Sequence, residues 1–222
     1  MATGETPAPV DFYFSFRSPY SWLAVRQVRA LAEAHALDVT LRVVRPLAVR
    51  TPDFFKSVNP MWPPYLFRDV TRIAERLGLT FRWPRPDPVV QDLASGTIAA
   101  NQPHIGRLSR MGVLAAEQGA GLAYVEAVSH LIWSGEVDGW DQGEHLARAA
   151  ITAGLDPMAL EARAVAEAGR LDAVLLAHES AQAAAGHWGV PLFVYRNEPF
   201  FGQDRLSDLM WRIAQNRRTE AD

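Results

Sequence analysis

The residues with the clearest potential for chemistry follow a short apolar segment near the start of the 222-residue chain. Ser18 precedes Pro19, and proline is favoured in the first turn of a helix, where its missing N–H is not needed. The N–H groups and dipole of a helix N-terminus stabilise anions, and a serine hydroxyl can donate a hydrogen bond to a thiolate supplied by a cofactor. A serine in this place is also a common N-cap, and the local sequence leaves both roles open. Ser18 is therefore a candidate catalytic residue, with Phe16, Arg17 and Tyr20 beside it as candidate walls of a substrate pocket.

Two further candidates lie near the end of the chain, where β character returns. Val190 and Pro191 precede a predicted strand, and a cis bond there would expose the N–H and C=O of Val190 to an extended ligand. An ordinary trans proline is the alternative, since only about 5–6% of X–Pro bonds are cis. Gln203 and Asp204 precede the last predicted helix, where they could cap it or hold the head group of an amino-acid ligand.

The composition limits the classes of function that the chain can have. It contains no cysteine, which excludes disulfides, thiolate metal sites and a dithiol redox cycle run by the protein itself. Its six histidines show no metal-ligand spacing, so we expect no metal. A formal net charge of -3 gives no reason to expect nucleic-acid or membrane partners. Residues 1–9 lack the features of a signal peptide, and we expect a cytoplasmic protein.

The elements that must position these residues follow from hydrophobic periodicity. A strand at 10–15, a helix at 20–36 and a strand at 39–44 predict a parallel pair with a right-handed crossover. The five prolines between residues 46 and 64 predict an irregular loop. Successive helices are predicted at 65–77, 104–118, 121–134, 143–153, 157–166 and 170–185. Strands at 192–195 and 199–201 and a helix from 206 to about 215 complete the pattern.

This order of elements predicts an α/β protein. It is βαβ, a block of helices and then ββα, which is the order of a thioredoxin-like domain with an all-helical insertion. We predict a loose leader over residues 1–9, a thioredoxin-like domain over 10–62 and 186–222, and a helical insertion domain over 63–185.

Four motifs resemble one family, the 2-hydroxychromene-2-carboxylate isomerases. These enzymes belong with the kappa-class glutathione transferases in the DsbA-like branch of thioredoxin folds. The motifs are DFYFSFRSPYSWL at 11–23, YLFRDVTRIA at 65–74, GVPLFV at 189–194 and FFGQDRL at 200–206. The resemblance spans residues 10 to about 214, and it is the conjunction of the four motifs in this order that is specific.

The resemblance implies glutathione as a cofactor. Ser18 would hydrogen-bond its sulfur and lower the pKa of the thiol, and Val190 would pair with its cysteinyl main chain. Gln203 and Asp204 would hold the γ-glutamyl end. The implied cofactor-binding residues are Ser18, Asn59, Val190, Pro191, Gln203 and Asp204.

The resemblance also implies a substrate, a small aromatic unsaturated keto acid. The glutathione thiolate would add to the conjugated carbon, the bond would rotate, and elimination would give the other isomer, as from 2-hydroxychromene-2-carboxylate to trans-o-hydroxybenzylidenepyruvate. Trp62 would line the pocket. Family members often carry a lysine shortly before the position of Tyr65, and it is missing here, so the anion contact would either be lost or be supplied by another residue such as Arg68.

Relatives are commonly dimers, so a homodimer is expected. Two alternatives remain: a kappa-like glutathione transferase that conjugates electrophiles, and a glutathione-binding module without catalysis. A disulfide oxidoreductase is nearly excluded, because the chain has no cysteine.

Overall fold

The chain opens with a βαβ unit. The structure is a computed structural model that describes residues 6–34, 36–92 and 95–221. Strand β1 (Ala8–Phe14) and strand β2 (Leu37–Val43) pair in parallel, joined by helix α1 (Pro19–Glu33). Strand β1 begins inside the predicted leader, so residues 8 and 9 belong to the sheet, while residues 1–5 of that leader lie outside the described residues.

Most of the helices lie between β2 and the C-terminal part of the chain. The predicted insertion also contains a short antiparallel hairpin, β3 with β4, so it is not all-helical. The segment 46–64 is not wholly irregular either, since it holds a short helix, a 3₁₀ turn (Phe54–Lys56) and the start of a long helix. The elements are α2 (Leu47–Arg50), α3 (Trp62–Arg76), β3 (Gln91–Asp92), β4 (Thr97–Ile98), α4 (Pro103–Glu117), α5 (Gly121–Trp133), α6 (His145–Thr152), α7 (Pro157–Ala166) and α8 (Ala168–Ala184).

The last elements complete the sheet. Strand β5 (Leu192–Tyr195) pairs antiparallel with both β1 and strand β6 (Glu198–Phe201), and the sheet order is β2-β1-β5-β6. Arg196 and Asn197 form the two-residue turn between β5 and β6 with φ of 51° and 66°, which suits the twist of a tight hairpin. A 3₁₀ turn (Gln203–Arg205) leads into helix α9 (Leu206–Ala221). The predicted thioredoxin-like α/β order is confirmed.

One continuous core joins the sheet to the inserted helices. Phe12 of β1 stacks on Phe193 of β5 with ring centroids 5.1 Å apart, and both side chains are fully buried. Phe16, in the loop after β1, contacts Tyr124 of α5 edge-on at 6.3 Å. Gly112 of α4 lies so close to the Phe16 ring that an added Cβ would be 2.9 Å from it. The inserted helices therefore pack directly against the loop that precedes Ser18.

Candidate active site

Ser18 lies at the N-terminus of α1 and caps it. Its backbone is extended, with φ −106° and ψ 112°, and its Oγ accepts a hydrogen bond from the N–H of Ser21 at 3.1 Å. Pro19 occupies the first turn, as the sequence predicts. The same hydroxyl lies 3.3 Å from the carbonyl oxygen of Val190, to which it can donate. The structure therefore shows Ser18 as an N-cap and also shows its hydroxyl within reach of the loop that carries Val190.

Three segments of the chain meet at this hydroxyl. The Val190–Pro191 peptide bond is cis, which confirms one of the two alternatives for Pro191. The carbonyl of Pro191 accepts a hydrogen bond from the N–H of Gly202 at 3.0 Å. Gly202 precedes the 3₁₀ turn that holds Gln203, and this turn packs against α1. The first helix, the loop before β5 and the segment after β6 thus form one corner.

Two main-chain donors in this corner lack an acceptor within the described residues. In the first turn of α1, the N–H groups of Ser21 and Trp22 are both bonded to Ser18, whereas that of Tyr20 has no acceptor. The N–H of Val190 is likewise without one. Unpaired N–H groups at a helix start attract an anion, and one next to an accessible carbonyl can pair with an extended peptide. The corner therefore suits a peptide that carries a negatively charged group.

Tyr20 is held by a contact with α3. Its hydroxyl donates to Oδ2 of Asp69 at 2.8 Å, while Oδ1 of Asp69 accepts from Arg72 at 2.5 Å. Burial, followed by the hydrogen bond to Asp69, raises the pKa of the Tyr20 phenol well above its usual range. Tyr20 is therefore a neutral group that ties the start of α1 to α3, and sequence reasoning did not foresee the role of Asp69.

Arg17 and Phe16, which the sequence predicts as pocket walls, lie mostly buried behind the loop that precedes Ser18, and their place in a pocket stays a prediction. Arg17 forms a two-point ion pair with Asp87, with Nη2 2.6 Å from Oδ2, and its guanidinium lies 4.4 Å from the centroid of the Trp83 ring. Its charge is thereby neutralised and its side chain is mostly buried. Phe16 is fully buried against Phe14 and the inserted helices. Both residues support the loop from behind, because the insertion covers them.

The remaining predicted ligand contacts lie at the surface. Asn59 is exposed, and its Oδ1 accepts from the N–H of Met61 at 3.0 Å, which fixes the turn before α3. No contact joins it to Ser18 within the described residues. Asp204 is exposed and lies 3.1 Å from the guanidinium of Arg205. Arg68 is exposed and forms no ion pair in the part of the chain that the structure describes. These assignments stay predictions.

A series of contacting aromatic rings, here called the aromatic band, borders the loop that carries Val190. Its first member, Trp62, is 41% exposed and is the one that the sequence analysis names for the substrate pocket. Adjacent ring centroids are between 4.0 and 5.9 Å apart. In order, the members are Trp62, Phe55, Phe54, Trp188, His187 and Phe201.

The loop before Val190 is held by three side chains that sequence reasoning missed. Gln182 of α8 donates its amide to the carbonyl of Gly189 at 2.7 Å. Arg50 of α2 donates to the carbonyl of Trp188 at 3.0 Å. Nδ1 of His187 accepts from the N–H of Gly189 at 2.9 Å, and partial burial lowers the pKa of His187. No periodicity marks these residues, because each acts across the fold.

A surface groove lies apart from the corner at Ser18. A groove of about 750 Å³ runs beside the outer edge of β2, but none of the predicted site residues lines it. Over residues 6–34, 36–92 and 95–221, no group of three or more His, Asp or Glu side chains is placed to hold a metal ion. Within the same ranges, every helix is too short or too polar to cross a bilayer.

Solved structures resemble the chain over nearly its whole length. That of a 2-hydroxychromene-2-carboxylate isomerase has a TM-score of 0.71 at 25% identity, covering 96% of this chain and 98% of the other. A probable DsbA oxidoreductase from Streptomyces coelicolor has a TM-score of 0.65 at 20% identity, covering 94% and 89%. The cytosolic disulfide reductase DsbM from Pseudomonas aeruginosa, with GSH, has a TM-score of 0.59 at 16% identity, covering 95% and 99%. No curated protein sequence gives a match.

The family follows from the sequence together with this geometry. The profile of the DSBA-like thioredoxin domain matches residues 9–214, a span that includes the start of α1, the inserted helices and the cis Val190–Pro191 bond. The family resemblance noted from the four motifs is confirmed by this match and by the isomerase structure. The chain therefore belongs to the DSBA-like thioredoxin domain family.

Proposed function

We propose that the chain is a glutathione-dependent cis–trans isomerase of an aromatic unsaturated keto acid, of the 2-hydroxychromene-2-carboxylate type. One observation carries the proposal: a serine hydroxyl at the N-terminus of α1 lies 3.3 Å from the carbonyl of Val190, across a cis proline. Because the chain has no cysteine, a thiol in this corner has to come from a bound molecule. The similar isomerase structure, at 25% identity, favours isomerisation over disulfide exchange.

The corner fits a thiol tripeptide. The unpaired N–H of Val190 and its carbonyl can bond the main chain of an extended peptide in the manner of an added strand. Gln203 and Asp204, on the turn that packs against α1, are proposed to hold the γ-glutamyl end. Bound glutathione would supply a thiolate for reversible addition to the conjugated double bond, which permits rotation before elimination.

The protein's own groups have a defined task in this scheme, which is to favour the ionised sulfur. The Ser18 Oγ accepts from Ser21, so its hydroxyl hydrogen can turn from Val190 towards a sulfur anion. A hydrogen bond to a charged group contributes about 1.5–3 kcal/mol. The helix N-terminus, with the free N–H of Tyr20, adds about 0.3–1 kcal/mol. Together they would lower the thiol pKa by about 1 to 3 units, at 1.36 kcal/mol per unit.

The aromatic band supports an aromatic substrate. Its exposed Trp188 ring belongs to the loop that presents Val190 and contacts Phe54 and His187, and rings of this band are proposed to stack on a flat molecule beside the thiol. Arg68 is proposed to receive the substrate carboxylate, since it is exposed and carries no competing ion pair among the described residues. The proposed location is the cytoplasm, which keeps glutathione reduced.

The stoichiometry of glutathione use tests the proposal. Purified protein is mixed with a large excess of the keto acid over glutathione, and ultraviolet absorbance and mass spectrometry follow the substrate and the glutathione pool. The isomerase converts many equivalents of substrate and leaves glutathione unchanged. Conversion that stops at one equivalent with a stable conjugate would instead identify a transferase. Binding of glutathione without acceleration would identify a non-catalytic module.

A further inference from the structure

Arg50, the last residue of α2, is a largely buried cation with only neutral partners. Its Nη1 donates to Oε1 of Gln182 at 3.0 Å and its Nη2 to the carbonyl of Trp188 at 3.0 Å. Its Nε is buried without a partner, and no carboxylate pairs with it among the described residues. Burial lowers the pKa of Arg50, although an arginine stays charged at any physiological pH.

A second arginine shows that this arrangement is not a requirement of packing against α8. Arg45 reaches the same helix and meets a carboxylate there, with Nη2 2.6 Å and Nε 2.8 Å from the Glu179 oxygens. A buried cation is stabilised by such a pair and is costly without one. Arg50 feels the charge of Glu179 but forms no hydrogen bond or ion pair with it, and its donors go to an amide oxygen and a loop carbonyl instead.

These donors fix the main chain immediately before Val190. Gln182 is fully buried, and it accepts from Arg50 while donating to the carbonyl of Gly189 at 2.7 Å. The carbonyls of Trp188 and Gly189 are therefore both held, one directly by Arg50 and one through Gln182. The next residue along the chain carries the N–H that has no acceptor within the described residues.

We propose that Arg50 is a positioning residue for the thiol cofactor, acting with Gln182 through the Trp188–Gly189 main chain to present Val190 to the ligand. The inference rests on the proposed function and deepens it. In this scheme the affinity for the main chain of the peptide ligand depends on Arg50, while the ionisation of its sulfur depends on Ser18. These two dependences can be measured separately.

The experiment compares two ligands, glutathione and ophthalmic acid, which carries a methyl group where glutathione carries the thiol. Calorimetry gives Kd for each ligand with the parent, Arg50→Met, Arg50→Lys and the control Arg45→Met. Loss of a charge-assisted bond to the loop is expected to raise Kd for both ligands by a similar factor, about 10-fold, in Arg50→Met. Arg50→Lys keeps the charge but not the two-point geometry, so a smaller rise is expected.

The control separates positioning from general loosening of the fold. Arg45→Met removes an arginine contact to the same helix and leaves the Glu179 carboxylate without its ion-pair partner, so the melting temperature is expected to fall. Its Kd values are expected to stay within about twofold of the parent, because the hydrogen bonds of Arg45 among the described residues go to Glu179 and none goes to the loop. For Arg50→Met, the KM for glutathione is expected to rise by about the same factor as Kd, so that kcat/KM falls more than kcat does.

Each contrary result has one meaning. If the parent binds neither ligand, the proposed function fails and takes this inference with it. If the parent binds both and Arg50→Met binds them equally well, only the inference fails. It also fails if Arg45→Met weakens binding as much, or if glutathione alone is affected. If Arg50→Met does not fold, Arg50→Lys decides, and an unchanged Kd there overturns the inference.

Discussion

Replacing Ser18 by alanine separates two roles of one hydroxyl. The Oγ caps α1 by accepting from the N–H of Ser21 at 3.1 Å, and the same Oγ lies 3.3 Å from the carbonyl oxygen of Val190, to which the hydroxyl can donate. An O–H···O contact of 3.3 Å is well beyond the usual 2.7–2.8 Å, so the bond to Val190 is weak and readily exchanged for a charged sulfur. Loss of that new bond removes about 1.5–3 kcal/mol from the ionised thiol. We therefore expect kcat to fall by about 10- to 100-fold in Ser18→Ala, at 1.4 kcal/mol per factor of ten.

Two controls isolate the effect. Glycine is nearly as good an N-cap as serine, whereas alanine costs about 1 kcal/mol of stability. Ser18→Gly is therefore expected to lose as much activity as Ser18→Ala and less stability. The Ser21 hydroxyl is buried in the same turn and has no hydrogen-bond partner in the described part of the chain, so Ser21→Ala is expected to keep its activity within about twofold.

The assay is kcat at saturating glutathione as a function of pH, together with ultraviolet titration of the bound thiol. Removing the donor raises the pKa of that thiol, so the alkaline rise in activity should move to higher pH by about 1 to 2 units. An unchanged kcat in Ser18→Ala would remove this hydroxyl from the mechanism. A slower variant whose bound thiol titrates as in the parent would refute the electrostatic explanation.

Three further perturbations test other contacts of the site. Tyr20→Phe removes the bond to Asp69 and should lower the free energy of unfolding by about 1–2 kcal/mol in denaturant titrations; an equal stability would mean that this bond contributes nothing. Trp62→Ala removes an exposed ring of the aromatic band and should raise KM for the keto acid about 5- to 20-fold, with the Kd of glutathione unchanged. Steady-state kinetics with an unchanged KM and a raised Kd of glutathione would contradict the place of Trp62 in the substrate pocket. Burial lowers the pKa of His178, whose Nδ1 lies 2.9 Å from the carbonyl of Val43, so its neutral form stabilises the fold. That contribution is fully present above the unfolded pKa of about 6.5 and is lost as pH falls below it. His178→Gln should therefore reduce the dependence of the free energy of unfolding on pH in that range. Parallel plots of unfolding free energy against pH for the parent and the variant would contradict this.

Local signals predict the parts of the fold that depend on neighbouring residues. The start of α1 follows from Ser18 and Pro19, because a cap and a first-turn proline act within one helical turn. Helix order and the β5–β6 hairpin follow from periodicity in the same way. The cis state of Pro191 did not follow from the residues alone, which left cis and trans both open.

The structural roles of Arg17, Phe16 and Arg50 could not be predicted from the sequence, because they depend on contacts between distant segments. Arg17 pairs with Asp87, 70 positions away, and nothing local distinguishes it from an arginine that lines a pocket. Phe16 is covered by α4 and Arg50 extends from a short helix in a proline-rich segment, so the role of each depends on packing across the fold.

The early start of β1 has a specific physical reason. Ala8 donates to Ala36, so the residues of β1 that bond β2 are the even-numbered ones, and Pro9 points to the other side. On that side β5 pairs only from Asp11 onward. The missing N–H of Pro9 therefore breaks no hydrogen bond between strands. For this reason Pro9, which indicates a loose leader in the sequence, fits within strand β1.

The close approach of Gly112 to Phe16 makes the inserted helices and the sheet part of the molecule depend on each other's side-chain sizes. A methyl group at position 112 would also come within 3.1 Å of Val43, and the Trp133 indole of the inserted part bonds the Phe16 carbonyl at 3.0 Å. The corner at Ser18 thus packs against residues that a different part of the sequence supplies. Replacing the inserted helices by those of a distant relative would change this packing, so each part of the chain restricts which substitutions the other can accept.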